Sequence, residues 1–352
     1  MSFPIPTDHL RNRSRSKVRR QSYRPYRAFE SLEQRNLLTA AYFSGLGDLP
    51  GGGYGSFARA ISADGDTIVG SSYDDVQLSA VRWTDGQIEG LGRLPSAPFS
   101  SGWGTSADGS VVVGEVGNGG SADNSFRWTE AAGMEQLPDL PGGSYLFSLD
   151  EGAFVVSADG SVVVGGMTSE SGTEAFLWQE GVGTRGLGDL PGGLFGSFAR
   201  AVSADGSTAV GWSKVDNKLD RDNQAFQWTE ATGMQPLTTP GIESEAHNVT
   251  PDGSVVVGRD RRLAGEKGKK TTVGWEAFRW TEAEFKYLGD LPGGSHDSVA
   301  QTVSADGSLI AGYSESALGE EAFLWESATG MRSLKDILVV DYGIDLTGWH
   351  LW

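Results

Sequence analysis

Short apolar runs and glycine-rich turns alternate along this chain in a repeating order. Six times, a Ser/Thr-x-Asp-Gly sequence is followed by a β-branched run and then by an aromatic-x-Trp or Val-x-Trp pair. Successive Asp-Gly pairs lie 44, 51, 46, 47 and 54 residues apart; they are Asp64-Gly65, Asp108-Gly109, Asp159-Gly160, Asp205-Gly206, Asp252-Gly253 and Asp306-Gly307. A repeat of this length is one supersecondary unit, which buries its apolar face only against a neighbouring unit.

The fourth repeat shows which elements the pattern predicts. Residues 199–204 lead into the Asp-Gly pair, and further runs follow at 207–212, 224–230 and 234–237. Each repeat is therefore predicted to contain four short strands. Asp-Gly tolerates the positive φ angles of a type I′ turn, so we expect the first two strands to pair across a two-residue turn.

The second and third strands carry different apolar patterns. The second contains runs such as Val111-Val112-Val113, which are apolar on both faces of the pleat and indicate a strand covered on both sides. In the third strand, two large side chains two positions apart point to one face, where each pair is expected to pack against a neighbouring repeat. The pairs are Val81/Trp83, Phe126/Trp128, Phe176/Trp178, Phe226/Trp228, Phe278/Trp280 and Phe323/Trp325.

These features predict an all-β fold, specifically a β-propeller of six to seven four-stranded blades. Glycine accounts for 51 of 352 residues, about double its usual share, and most glycines lie in turns between apolar runs. A β-helix or an open solenoid is the alternative. Such folds need shorter coils and parallel strands, which direct Asp-Gly hairpins do not favour.

Three recurring segments carry a resemblance to a known family. They are Ser203-Ala204-Asp205-Gly206, the stretch 224–234 (Gln-Ala-Phe-Gln-Trp-Thr-Glu-Ala-Thr-Gly-Met), and the stretch 187–193 (Leu-Gly-Asp-Leu-Pro-Gly-Gly). The chain resembles the bacterial extracellular HAF-type repeat family over residues 42–338. This resemblance implies a location outside the cell and assigns no reaction. It also implies a further Ser-Ala-Asp-Gly unit after the present ending, so the C-terminal unit is predicted to be truncated.

The number of blades depends on the two ends of the repeat region. Fourth-type strands number seven, because residues 42–49 and 331–338 each supply one, whereas the other three strand types number six. Either six blades close and leave one strand spare, or a seventh blade is incomplete, which we favour. Residues 41–352 are thus predicted as one propeller with six repeats, and an unfinished blade would offer an open edge for self-association.

Charge separates an N-terminal segment from the rest. Residues 1–27 carry eight Lys/Arg and one acid, a net charge of +7, whereas the remainder carries 20 bases and 45 acids, a net charge of −25. Residues 1–40 lack apolar periodicity and are predicted to be disordered or processed. Binding to phosphates depends on Lys and Arg, so the acidic body is not expected to bind nucleic acid. No apolar run approaches the roughly 18 residues of a transmembrane helix.

The end of this basic segment contains a second resemblance. Residues 32–40, Leu-Glu-Gln-Arg-Asn-Leu-Leu-Thr-Ala, resemble the Leu-Glu-x-Arg-x-Leu-Leu-x-Ala element near the N-termini of large exported proteins in some bacteria. The resemblance implies an extracellular or cell-surface location. The apolar run after the basic residues is too short for an ordinary signal peptide, and a solvated basic tail is the alternative.

No catalytic, metal or cofactor site is predicted. Cysteine is absent, which excludes disulfides and thiolate sites. Each Asp-Gly turn offers one carboxylate, too few oxygen ligands for calcium. The four histidines, His9, His247, His296 and His350, have no ligand spacing, and no glycine motif precedes a helix that would bind phosphate. Paired carboxylates for glycoside hydrolysis stay open as an alternative in so acidic a chain.

The connections between strands indicate where a ligand would bind. Fourth-to-first and second-to-third connections emerge opposite the Asp-Gly turns and vary in length, as binding loops do. The fourth-to-first connections are predicted to carry aromatic side chains that stack on sugars or hold a peptide, of which Tyr54, Trp103, Tyr145 and Phe195 are the candidates. The others are Phe57, Phe99, Phe147 and Phe198. Alternatively, these aromatics wedge between blades.

A second candidate region is the longest second-to-third connection, residues 259–272. It is basic within an acidic body, through Arg259, Arg261, Arg262, Lys267, Lys269 and Lys270. A basic loop of this kind is expected either to bind an acidic polymer or another copy of the chain, or only to maintain solubility.

Three functions remain on this reasoning. The favoured one is an exported or cell-surface, non-catalytic module that binds a polysaccharide, a peptide or a partner protein through its loop-rich face. The second is a secreted, carboxylate-dependent glycoside hydrolase or polysaccharide lyase. The third is a structural adhesion module that associates with itself.

Overall fold

The computed structural model describes residues 45–53, 55–118, 124–143, 154–215, 223–239, 242–264 and 271–347. The chain divides into two compact units, Met1–Gly45 and Leu46–Trp352. The second unit contains every described strand. The predicted basic segment, residues 1–40, lies outside the described residues, as does the export-associated element.

The described strands form six sheets of four antiparallel strands. The first two sheets are β1–β4 (Ser56–Ile61, Thr67–Tyr73, Leu78–Thr84, Gln87–Gly90) and β5–β8 (Phe99–Thr105, Val111–Gly117, Asn124–Thr129, Gly133–Gln136). The next two are β9–β12 (Val155–Val156, Val162–Ser169, Gly172–Gln179, Gly183–Gly186) and β13–β16 (Ser197–Val202, Thr208–Lys214, Asn223–Thr229, Gly233–Pro236). The last two are β17–β20 (Ser244–Val249, Val256–Ala264, Thr271–Thr281, Glu284–Gly289) and β21–β24 (Gly293–Val303, Leu309–Ser316, Gly319–Glu326, Gly330–Ser333).

In every sheet the four strands lie side by side in chain order. The first strand of each later sheet packs against the preceding sheet. This is the blade arrangement of a β-propeller, so the predicted fold is confirmed. A short helix α1, Leu334–Asp336, and a π-helical turn, Ile337–Asp341, follow the sixth sheet. No helix among the described residues is long and apolar enough to cross a bilayer.

The described residues contain six complete blades. Residues 45–49, part of the seventh fourth-type strand predicted at 42–49, have no strand conformation, and residues 42–44 lie outside the described residues. The choice between a spare strand and an incomplete seventh blade therefore depends on how the first and sixth sheets meet.

The Asp-Gly turns differ from the predicted two-residue type I′ form. In the fourth repeat, the N–H of Ser203 donates to Thr208 O at 2.8 Å, and the N–H of Gly206 donates to Ser203 O at 3.0 Å. Four residues thus lie between the hydrogen-bonded Ser203 and Thr208, and in this turn Gly206 alone has a positive φ, of 72°. The reason is the serine: its Oγ accepts from the N–H of Thr208 at 3.0 Å and donates to Asp205 Oδ1 at 2.7 Å, which holds the wider loop.

The predicted core pattern is confirmed. The valines of the second strands are buried on both sides, as Val111, Val112 and Val113 show at 4% exposure or less. The third-strand pairs also reach the neighbouring blade, since Val162 and Val164 of the third sheet pack in one cluster with Phe226 and Trp228 of the fourth. Apolar burial between sheets therefore holds the blades together.

Two contacts repeat at the junctions between consecutive blades: a backbone hydrogen bond and the close approach of a turn glycine to a side chain. The N–H of the residue before Asp donates to the matching carbonyl of the next blade at 2.9 to 3.0 Å; the series runs Ala63, Ala107, Ala158, Ala204, Pro251. The turn glycine of each later blade lies on the first residue of the preceding blade's second strand or, for Val255, on the residue directly before that strand. A Cβ on the glycine would come within 2.4 to 2.8 Å of this residue. The glycine pairs are Gly109/Thr67, Gly160/Val111, Gly206/Val162, Gly253/Thr208 and Gly307/Val255.

Candidate functional site

The first strand of five of the six sheets contains a β-bulge at the same position. The pairing register with the second strand skips one residue there, which frees that side chain from the ladder. The skipped residues are Arg59, Trp103, Arg200, His247 and Gln301. Turn and core positions repeat the same residue types, whereas the five bulge positions, two of which are arginine, hold four different residue types. They are therefore the places where chemistry varies between blades.

The bulges of the fourth and fifth sheets meet at a buried carboxylate, Glu245, which is 4% exposed. Arg259 Nη2 donates to Glu245 Oε2 at 2.9 Å, and Asn223 Nδ2 donates to Glu245 Oε1 at 3.0 Å. Arg200 Nη2 lies 3.5 Å and His247 Nε2 lies 3.4 Å from the same Oε2. One carboxylate thus connects side chains from four strands, two in the fourth sheet and two in the fifth.

A second part of the cluster surrounds Trp275 on β19. The guanidinium carbons of Arg259 and Arg261 lie 4.2 and 4.5 Å from the ring centre of Trp275. Arg261 Nε donates to Glu243 Oε2 at 3.0 Å, so both arginines are held by carboxylates. Strands β17 and β19 begin, and β18 ends, on the side opposite the Asp-Gly turns. We call these residues, with Glu245, His247 and Arg200, the loop-face cluster.

The ionisation of this cluster follows from its burial. Burial raises the pKa of Glu245, but the hydrogen bond with His247 and the charges of Arg259 and Arg200 outweigh it and lower that pKa to about 2. Burial lowers the pKa of His247 more than Glu245 raises it, so the imidazole is neutral at pH 7. The carboxylate therefore stays charged and balances the arginines.

A second buried acid lies beside the cluster. Asp260 and Glu276 are register partners on β18 and β19, and each is 3% exposed. Burial raises the pKa of Asp260 to about 6, against the hydrogen bond that Tyr287 Oη donates at 2.9 Å, and the charge of Glu276 adds to the rise. Asp260 thus binds a proton more readily than an ordinary aspartate.

The structure places the predicted aromatic residues mainly on strands. Trp103 is not in a connection: it occupies the bulge of β5, and the Arg59 guanidinium carbon lies 4.2 Å from its ring centre. Its Nε1 is buried and finds no hydrogen-bond acceptor among the described residues. Phe195 lies in a fourth-to-first connection and is partly buried. Phe57, Phe99 and Phe198 lie on strands, while Tyr54, Tyr145 and Phe147 are outside the described residues.

The predicted basic connection begins later than expected. Arg259, Arg261 and Arg262 belong to β18, because Asp260 to Arg262 pair in register with Glu276 to Gly274 of β19. Arg259 and Arg261 are therefore fixed in a sheet and ion-paired with glutamates, unlike the free side chains of a flexible basic loop. Lys267, Lys269 and Lys270 lie outside the described residues.

Two central residues, Glu245 and His247, were not among the predicted site residues. A signal for Glu245 exists in the repeats: it stands at the position where the first and fourth repeats have Phe57 and Phe198. A charged residue in place of a core aromatic indicates a specialised position. No group of three metal-ligating side chains occurs in the part of the chain that the structure describes.

Comparisons with known proteins support the fold. No family model matches the chain, and no curated protein matches it significantly. Among solved structures, an oligogalacturonate lyase from Vibrio parahaemolyticus is 13% identical, with a TM-score of 0.53 over 78% of this chain and 76% of the lyase. An acylaminoacyl peptidase from Pyrococcus horikoshii is 12% identical, with a TM-score of 0.50 over 82% of this chain and 46% of the peptidase.

TolB from Acinetobacter baumannii is 14% identical, with a TM-score of 0.43 over 64% of this chain and 52% of TolB. The chain spans about half the length of the peptidase and of this TolB. At these identities, the likeness to the lyase and the peptidase shows the fold alone.

Proposed function

We propose that this protein is an exported or cell-surface module of the HAF-repeat type that binds a polysaccharide, a peptide or a partner protein without catalysis. The ligand binds on the loop face, over the cluster formed by the fourth and fifth sheets. The N-terminal Leu-Glu-x-Arg element and the extracellular character of the family it resembles support the location. The loop-face cluster supports the binding role.

The observation that carries this proposal is the Arg259–Trp275–Arg261 stack. Arg261 is about a third exposed, Arg259 is partly exposed, and both are fixed by glutamates before any ligand arrives. Side chains that are already ordered lose little conformational entropy on binding, which favours affinity. A guanidinium over an indole ring suits ligands that combine a flat or apolar face with hydroxyl or carboxylate acceptors. Sugars and peptides both have this chemistry.

The test is a binding screen against glycans and peptides with the purified protein, followed by titration of any ligand found. We expect Arg261→Gln or Trp275→Ala to weaken binding at least about tenfold. Arg185→Gln is the matched control, because Arg185 stacks on Trp228 at 5.0 Å and pairs with Glu230 on the opposite, turn-bearing face. Equal loss in Arg185→Gln, or no loss in either loop-face variant, would refute the assignment of the site.

One observation favours the second candidate, a carboxylate-dependent hydrolase or lyase. Asp260, whose pKa is raised to about 6, lies beside a second carboxylate, Glu276, and general acid–base catalysis uses a carboxyl group with such a raised pKa. Turnover of a glycoside or polyuronide that disappears in Asp260→Asn, with binding retained, would establish this function in place of the first.

The location is tested separately. Fractionation of the native cells followed by N-terminal sequencing of the mature protein is expected to find it outside the cytoplasm, beginning after the Leu-Glu-x-Arg element. Recovery of the intact chain, basic segment included, from the cytoplasm would contradict export.

A further inference from the structure

The first and sixth sheets do not pack against each other as consecutive sheets do. Five junctions join the six blades, each with the same glycine contact and apolar burial, and at four of them the backbone hydrogen bond is present as well. The two faces that would form a closing junction are described in full, and on both of them residues are exposed whose counterparts are buried at the other junctions. We call the space between them the seam. It is separate from the loop-face cluster, so its role is independent of the proposed ligand.

On the sixth sheet, the uncovered face begins at Leu309, which is 39% exposed. The same position in the other five sheets is 4 to 7% exposed, because the glycine of the next turn lies on it; those residues are Thr67, Val111, Val162, Thr208 and Val255. Two residues on, Ala311 is partly exposed, whereas its five counterparts are 0% exposed: Val69, Val113, Val164, Val210 and Val257. This face has the composition of a blade interface and lacks the blade that covers it.

On the first sheet, the opposite face is uncovered. Phe57 is 48% and Ile61 is 58% exposed, whereas Phe198, the counterpart of Phe57 in the fourth sheet, is 6% exposed. A Cβ added to Gly65 would meet nothing within 4 Å, in contrast to the five other turn glycines. The counterparts of Phe57 and Ile61 in the fourth sheet contact the third sheet: the ring of Phe198 lies on Gly166, and Val202 packs with Val162. Exposed apolar side chains at these two positions of the first sheet therefore mark an interaction surface.

The polar halves of the junction are also present at the seam. In the repeated series, the residue before Asp donates its N–H to the next blade. Among the described residues, the N–H of Ala305 and the carbonyl of Ala63 take no part in such a bond. Arg332 occupies the position of Arg185, which covers Trp228 of the next blade, and here it pairs with Asp341 at 2.8 Å. A donor, an acceptor and a tryptophan-covering arginine are thus in place for one more sheet.

Residues 46–49 show that this position begins to be filled from the N-terminal side. The N–H of Leu49 donates to Ser72 Oγ at 3.0 Å, as Leu190 does to Ser213 and Leu291 does to Ser314. The latter two leucines each follow the fourth strand of the preceding sheet. Leu49 is therefore seated like the end of a blade that precedes the first sheet, which is the blade at the seam.

We propose that the seam is a docking site for a partner that presents one antiparallel sheet of this same repeat type. The Asp-Gly turn of that sheet seats its glycine on Leu309, its aromatic-x-Trp strand packs on Ala311 and beneath Arg332, and its other face covers Phe57 and Ile61. This occupant is favoured because it continues the interface that the chain already forms five times. The first sheet of a second copy also has an uncovered face that matches the sixth sheet. Its other face, however, is already covered by the second sheet of that copy and is not free to cover Phe57 and Ile61 of the receiving chain.

The test uses the full chain and a synthetic peptide with the sequence of residues 197–229, which contains the first three strands of the fourth repeat. Titration of the labelled peptide, followed by fluorescence anisotropy, is expected to show saturable one-to-one binding. Leu309→Asp or Phe57→Asp is expected to weaken this binding at least about tenfold, because each places a charge on an apolar interface. Leu318→Asp is the matched control: it adds the same charge to the same sheet at a site 83% exposed.

Hydrogen exchange of the complex locates the contact independently. We expect new protection at the amide of Ala305 and along the start of β22. Three results would overturn the proposal: no saturable binding up to concentrations on the order of 100 μM, a range in which a specific interface binds; equal binding to Leu309→Asp; or protection confined to other sheets. Self-association of the unmixed protein that Leu309→Asp abolishes would assign the seam to a second copy and equally overturn it.

Discussion

Replacing Glu245 by Gln keeps the shape of the side chain at the centre of the loop-face cluster and removes its charge. The carboxylate is the shared partner of Arg259 at 2.9 Å and Arg200 at 3.5 Å, at a position 4% exposed. In the variant two guanidinium groups stay near each other without this counter-charge. We expect the free energy of unfolding to fall at neutral pH.

Two estimates give the size of this loss. The pKa of Glu245 moves from 4.5 to about 2 on folding, and at about 1.4 kcal/mol per pKa unit this corresponds to about 3 kcal/mol. Removing one partner of a buried ion pair typically costs about 3 to 5 kcal/mol, and Gln retains part of the hydrogen bonding. The expected loss is therefore about 2 to 4 kcal/mol at pH 7.

The sign of the pH dependence separates this electrostatic cause from a packing defect. Since the folded-state pKa is lower than the unfolded one, the contribution of Glu245 is complete above about pH 5 and is lost as pH falls towards 2. Urea unfolding followed by tryptophan fluorescence, at intervals between pH 7 and pH 3, measures it. The stability difference between wild type and Glu245→Gln is expected to stay constant from pH 7 to about pH 5 and to shrink steadily from there to pH 3.

His247 also titrates in this interval and requires a control. Burial lowers its pKa, so protonation below about pH 6.5 favours the unfolded chain and changes the stability of both proteins. Repeating the comparison in a His247→Gln background removes this contribution. A stability difference that is the same at pH 7 and pH 3 in that background would refute the view that the charge of Glu245 stabilises the cluster.

Three further predictions concern the turns and the second buried acid. By thermal unfolding, Gly206→Ala is expected to destabilise the protein more than Gly65→Ala by about 1 to 3 kcal/mol, because both glycines have a positive φ but only Gly206 lies against Val162. Equal effects would mean that the seam is covered. Ser203→Ala is expected to cost about 1 to 3 kcal/mol in urea unfolding, against under about 0.5 for the exposed Ser207→Ala, since Ser203 is 0% exposed and bonds the turn backbone. The pKa of Asp260 is raised on folding, so its contribution to stability falls as pH rises from about 4 to about 6. Asp260→Asn is therefore expected to raise the melting temperature relative to wild type at pH 8 but not at pH 4, and an equal change at both pH values would contradict the raised pKa.

The blade architecture followed from the sequence because the features that build it recur. Val111 to Val113, the Phe226/Trp228 pair and the Asp-Gly glycines each have one packing role, repeated at the five junctions between consecutive blades, and each recurrence strengthens the same inference. The turn type did not follow, because Asp-Gly alone does not distinguish a two-residue turn from the four-residue loop. Ser203 decides between them through its hydrogen bonds to Thr208 and Asp205, a contact across the strand pair.

The site followed less well from the sequence for a related reason. Trp103 and Arg259 were identified by residue type, but their places depend on register: one occupies a bulge and the other continues a strand. A β-bulge leaves no mark in the apolar pattern, since a single inserted residue changes the period only locally. The grouping of Glu245 with Arg200 also joins two repeats whose relevant residues are 45 positions apart. Sequence spacing alone does not bring such residues together.

The bulges explain how the blades share one structure while a side chain in the first strand of each sheet varies in type. Sheet pairing fixes the residues on either side of each bulge, and the Asp-Gly turn and the aromatic pair fix the junction with the neighbouring blade. The bulged residue belongs to neither set of contacts, so Arg200 and His247 replace one another in consecutive repeats without altering the junction hydrogen bonds at Ala204. Their side chains instead reach the next blade, Arg200 towards Glu245 and His247 towards the Ala300 carbonyl at 3.1 Å. The residue type at a bulge can therefore change to suit a ligand, whereas the recurring residues are constrained by the sheet and junction contacts that they make.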